Sequence, residues 1–127
     1  MSLKKEEIMK KILLLLFFLF PSVSFGDSLI SPIGFQDTDE NRKKVLSFIV
    51  KNVKDELSAI GMDDPTNLRI FEKQELHAFK RLTKAKDTKL LRKVIIESCS
   101  IFGMCNYDTI LTLYMQDMKA ANSKLKW

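Results

Sequence analysis

The chain has 127 residues, is 46% hydrophobic and carries a formal net charge of +5, which fits one small domain and does not by itself argue for nucleic-acid binding. Two cysteines and one histidine are too few for a four-ligand zinc site built of Cys and His, and four glycines leave little room for a phosphate-cradling loop.

The N-terminus reads as an export signal. Lys10 and Lys11 form a basic start, Ile12 to Phe20 is an unbroken apolar run, Pro21 breaks it, and Ser24-Phe25-Gly26 supplies small residues for cleavage after Gly26. A run this short falls below the roughly 20 residues of a membrane span. The pattern is of bacterial type. Met9 is the natural start, and the residues before it stand outside the fold. Two segments are therefore expected: 1–26, extension and signal peptide, and 27–127, a single mature domain, periplasmic or secreted. The mature part holds 17 basic and 14 acidic residues. A domain of this size is only marginally stable and gains from a covalent staple.

"DSLISPIGFQ" follows the signal. Pro32 and Gly34 keep it out of a helix, while Leu29, Ile30, Ile33 and Phe35 give it apolar material. It is either an arm packed over a helix groove or a mobile contact segment. Asp37 then stands as an N-cap acid with Glu40 three residues on. Val45, Leu46, Ile49, Val50, Val53, Leu57 and Ile60 recur at helical spacing, and Gly61 is a left-handed stop. Helix one is expected over 38–60.

Helix two carries Leu68, Phe71, Leu76, Phe79 and Leu82 on one face. Its start is open: Pro65 with Asp64 as cap, or as late as Gln74. Asp87-Thr88 caps helix three, whose inner face is Leu91, Val94, Ile95, Ser98 and Phe102, with Gly103 as the stop. Asp108 or Asn106 caps helix four, which uses Ile110, Leu111, Leu113, Tyr114, Met118 and Ala121 and runs to about Ser123. A Met-rich face there is either core or an adaptable contact surface. No stretch alternates with period two, so an all-α, four-helix domain with short connections is expected.

Cys99 and Cys105 are spaced C-x5-C. That spacing suits neither a zinc knuckle nor a C-x-x-C redox pair, and an exported chain with an even count favours a Cys99–Cys105 disulfide. It would clamp the corner between helices three and four. Closing so short a loop is worth roughly 2 kcal/mol.

Few residues carry a case for chemistry. His77 is the lone imidazole and falls away from Phe79 on the helical wheel, toward solvent. Glu72 and Glu75 could be imagined as a glycosidase pair. On a lysine-rich helix, however, they read as solvated partners of Arg69 or Lys73. Asp63-Asp64 lacks the alternation of a calcium loop. The expectation is a non-enzymatic chain with no cofactor and no metal; the rival is a small envelope hydrolase using Glu72, Glu75 or His77.

The strongest surface feature is "KRLTKAKDTKLLRKV". Lys80, Arg81, Lys84, Lys86, Lys89, Arg92 and Lys93 share it with one acid, Asp87. The stretch is either a solvated helix corner or a docking patch for an acidic protein or an anionic envelope surface. Interleaved aromatics are missing, which disfavours single-stranded nucleic acid. Small exported helical domains with one disulfide recur among inhibitors, immunity proteins and chaperones, a fold-level analogy only. The expected function is thus binding of a protein partner; a structural or self-associating component, including a homodimer, is the third option.

Overall fold

The computed structural model describes residues 29–127, and the signal-peptide reading lies outside them. Within them are four α-helices and no strand: α1 Asp39–Ala59, α2 Pro65–Leu82, α3 Thr88–Ile96 and α4 Tyr107–Ala121. Each start has a side-chain cap, because the first N–H groups of a helix have no partner inside it. Thr38, not Asp37, caps α1: its Oγ1 accepts from Asn41 N at 3.1 Å. Asp37 lies one residue too early to reach that amide and pairs with Arg42 instead. Asp64 caps α2 with Pro65 at the first helical position, so the earlier of the two starts is the one formed. Asp87 caps α3 and Asn106 caps α4. Gly61, at φ +71°, ends α1: its N–H donates to Ser58 O and that of Met62 to Leu57 O. This closing pattern requires a left-handed residue there, which favours glycine.

Helix three differs from expectation at its end. After Ile96 the chain widens into a π-turn, Glu97–Ile101, in which Phe102 N donates to Glu97 O at 3.0 Å. A π-turn uses an extra residue per turn, and the chain then leaves the helix toward Gly103. Ser98 keeps its inward place with no exposure, but Phe102 is 59% exposed rather than part of the inner face.

The helices pack in the order α1, α2, α4, α3, so α4 lies between the two helices that precede it in sequence. Val45, Phe48, Ile49, Val53 and Leu57 of α1 meet Ala78, Phe79 and Leu82 of α2. Leu91 and Val94 of α3 and Tyr107, Ile110, Leu111 and Tyr114 of α4 complete the core. Leu46, Val50 and Ile60, expected on the inner stripe of α1, are exposed. Met118 packs on the core and Met115 is exposed, so the methionines divide between the two readings; Ala121 is exposed as well.

The arm is docked. Pro32 is buried, and Leu29, Ile30, Ile33 and Phe35 pack on the core. Phe35 meets Phe79 edge-on at 4.9 Å, and Phe79 meets Tyr107 at 4.9 Å. The Tyr107 hydroxyl donates to Ile30 O at 2.8 Å. Gly34, at φ +66°, makes the turn that brings Phe35 back onto α2.

Candidate functional site

The basic corner begins where α2 stops. The Thr83 hydroxyl donates to Lys80 O at 2.6 Å, closing the helix, and the Asp87 N–H donates to the Tyr114 hydroxyl at 3.2 Å, pinning the turn onto α4. Asp87 is then consumed in capping Leu90 N. All seven cations, Lys80, Arg81, Lys84, Lys86, Lys89, Arg92 and Lys93, are exposed. Among the described residues only Lys93 of the seven has a carboxylate within 4 Å, Glu97 at 3.8 Å. Arg81 reaches the sulfur of Met115 at 3.4 Å.

The stretch crosses the turn between α2 and α3, and α4 packs between those helices, so it does not form one helical face. Lys80 and Arg81 lie in the last turn of α2, where the helix dipole favours cations. Lys84 and Lys86 sit in the turn. Lys89, Arg92 and Lys93 occupy the outer side of α3, away from buried Leu91 and Val94.

The three residues of the hydrolase reading do not converge. Glu72 pairs with Arg69, as expected, and His77 is exposed, as expected. Glu75 departs from expectation: it is not a solvated partner of Arg69 or Lys73 but is buried, 6% exposed. Its two carboxylate oxygens accept the N–H groups of Tyr107 at 2.8 Å and Asp108 at 3.0 Å. Glu75 is therefore a second cap for α4, supplied from α2, at the helix end where negative charge is favoured. Burial raises its pKa, and the two N–H bonds only partly oppose this; neighbouring Glu56 adds to the rise. Glu56 is also raised, by desolvation first, while Asn106 and Asn52 donate to it. A sequence signal for Glu75 exists. It stands three, four and seven residues before Ala78, Phe79 and Leu82, in the middle of the apolar stripe of α2.

A groove of about 440 Å³ runs beside the arm, with Phe35, Val45, Leu46, Leu76 and Phe79 as apolar lining and Asp37, Arg42, Lys80 and Thr83 as polar lining. Arg42 holds the Asp37 carboxyl below its usual range by hydrogen bonding, and the charge of Lys80 adds to this. No group of three or more potential metal ligands occurs among the described residues.

The Cys99–Cys105 disulfide is formed. It closes the corner between α3 and α4 together with two hydrogen bonds: Met104 N to Ser98 O, and the Ser98 hydroxyl to Met104 O, both at 2.9 Å. Asn52 of α1 donates to Cys105 O at 3.3 Å. Around this frame Ile96, Ile101, Phe102 and Met104 are 55%, 69%, 59% and 55% exposed.

No protein-family model, curated protein or solved structure matches the chain. The functional reading therefore stands on the residues alone.

Proposed function

We propose that the chain is a non-enzymatic protein of the bacterial periplasm, or a secreted one, that binds an acidic protein partner in the manner of an inhibitor, immunity protein or chaperone. One observation carries this reading: among the described residues, the exposed cations of residues 80–93 have no carboxylate within 4 Å, Lys93 excepted, although Lys80 acts on Asp37 at longer range. Seven basic residues and one acid in this stretch leave the rest of residues 27–127 with 10 basic and 13 acidic residues, so the charge is polarised toward one corner. Such a field speeds encounter with a partner of opposite sign and orients it. Lys80, Arg81, Lys84 and Lys86 are the part the partner meets. Lys89, Arg92 and Lys93 extend the field along α3.

The hydrolase alternative has less support. Both oxygens of Glu75 are committed to backbone N–H groups, and Glu72 to Arg69. The test is affinity capture from periplasmic extract with the processed chain, whose N-terminal sequence should begin at Asp27. The expected result is one stoichiometric acidic protein, released as salt rises and lost with Lys84→Glu/Lys86→Glu. Recovery of the chain alone favours the self-associating component and overturns the proposal, as does retention unaffected by the reversal.

A further inference from the structure

We infer that the outer face of α3 and the disulfide-locked corner beyond it form a docking surface for an anionic lipid bilayer, with Ile101, Phe102 and Met104 entering the interface and Lys89, Arg92 and Lys93 meeting the headgroup phosphates. The inference borrows the envelope location proposed above but does not depend on the partner protein.

The basic stripe keeps one register along α3, and the apolar tip follows it in sequence across the π-turn. Lys89, Arg92, Lys93 and Ile96 stand at i, i+3, i+4 and i+7, one stripe of the helix, and all four are exposed, opposite Leu91 and Val94. Directly beyond the stripe come Ile101, Phe102 and Met104, each more than half exposed. Residues 98–106 hold no side chain that carries a charge, so burying the tip desolvates no ion. The one acid of this face, Glu97, is paired with Lys93.

Three backbone groups of the corner already have partners within it. The amides of Phe102 and Met104 donate inward to Glu97 O and Ser98 O, and the Met104 carbonyl accepts from the Ser98 hydroxyl. An unpaired N–H or C=O is the main cost of moving a loop out of water, and these groups are already paired. Gly103, at φ +66°, and the Cys99–Cys105 bond hold the backbone of the tip in this shape, which lowers the ordering cost of presenting the apolar side chains.

Apolar anchors beside Lys and Arg are the pairing that interfacial membrane binding uses. A protein partner would need an apolar pocket shaped to the tip and rimmed with carboxylates. A bilayer interface yields to any shape and supplies the negative charge throughout, and the observations favour it for that reason.

The test uses the processed chain with its disulfide intact and vesicles of phosphatidylethanolamine with phosphatidylglycerol, against vesicles of phosphatidylcholine alone. Binding is expected to the anionic vesicles only and should weaken as salt rises. Lys89→Glu/Arg92→Glu/Lys93→Glu should lower the partition coefficient at least about a hundredfold, since each cation contributes separately near a charged surface and each Glu is repelled by it. Ile101→Ser/Phe102→Ser/Met104→Ser should lower it by at least about tenfold. Lys84→Glu/Lys86→Glu, which tests the protein partner, should change it far less. A Phe102→Trp chain that also carries Trp127→Phe should shift its emission to the blue on anionic vesicles, and this reads insertion without depending on the triple variants. Equal binding to both vesicle types, binding to neither, a serine variant that binds like the parent, or unshifted emission each overturns the inference. An acidic protein captured by the parent and lost with the serine variant, while vesicles go unbound, makes the corner a protein interface and equally overturns it.

Discussion

Two irregular segments flank the helices, and both are rich in apolar side chains. The arm, residues 29–38, packs Leu29, Ile30, Ile33 and Phe35 onto the core. The corner, residues 97–106, turns Ile101, Phe102 and Met104 outward. The difference lies in what holds each one. The arm has no disulfide: burial of its side chains and the Tyr107–Ile30 bond hold its first part, and the Asn41 side chain donating to Gln36 O and the Asp37–Arg42 pair tie its end to α1. The corner is held by a disulfide and backbone bonds of its own, which leaves its side chains free to face outward. Tyr107 links the two: its hydroxyl holds the arm, and its N–H, where the corner ends, is held by Glu75.

The sharpest way to break this arrangement is at Glu75. Glu75→Ala leaves the N–H groups of Tyr107 and Asp108 without acceptors and should cost about 2–4 kcal/mol in denaturant unfolding. Glu75→Gln should cost less, because an amide oxygen still accepts. The two variants also carry a pH signature. A carboxyl with a raised folded pKa holds its proton more tightly in the folded chain than in the unfolded one. Its contribution to stability is therefore greatest below the unfolded value, about 4.3, and falls as pH climbs through the raised folded value. Parent minus Glu75→Gln should show that fall. Asp37 and Asp64, lowered by their hydrogen bonds, act in the opposite direction in both chains and cancel in the difference. A difference curve flat through the acid range would mean that the two N–H bonds balance the burial.

Next in size is the arm. Phe35→Ala removes an aromatic contact with Phe79 and should cost about 2–3 kcal/mol, with faster amide exchange confined to residues 29–36. A cost near zero would make the arm an ornament to a fold complete without it.

The corner should respond less, and differently. Cys99→Ser/Cys105→Ser is expected to lower stability by roughly 2 kcal/mol with unchanged helical content by circular dichroism, since the bridge closes a short loop that lies outside the α-helices. Free, alkylatable thiols in exported protein would remove the bridge from the argument. The smallest effect belongs to Phe102→Ser, within about 0.5 kcal/mol of the parent, because the ring is exposed and its loss opens no cavity. Set against Phe35→Ala, this measures the contrast directly: two phenylalanines in irregular segments, one built into the core and one presented to the outside.

What the sequence determined by itself was local. Asp87, and Asp64 and Asn106 as one of two alternatives each, reach an amide three residues away, Thr38 does so in the place expected of Asp37 one residue before, and Gly61 and Gly103 take the left-handed conformation that ends their segments. Forces of that range are legible in a short window. The disulfide joins residues only six apart, so an even cysteine count, their spacing and the export signal read from the sequence were enough to expect it. The tertiary structure decided whatever depends on partners far along the chain. Glu75 is buried because a helix start 32 residues later needs its carboxylate, and the arm is docked because Tyr107 reaches back 77 residues to Ile30. The local turn between Leu82 and Thr88 divides the basic stretch between two helices, and what the tertiary structure adds is that α4, which follows both, packs between them. Phe102 leaves the inner face because the π-turn and Gly103 turn the chain away just before it would be covered. For Glu75 and the arm the free energy comes from desolvation and packing between distant segments; helical periodicity marks the buried face on which Glu75 stands but carries no record of the partner.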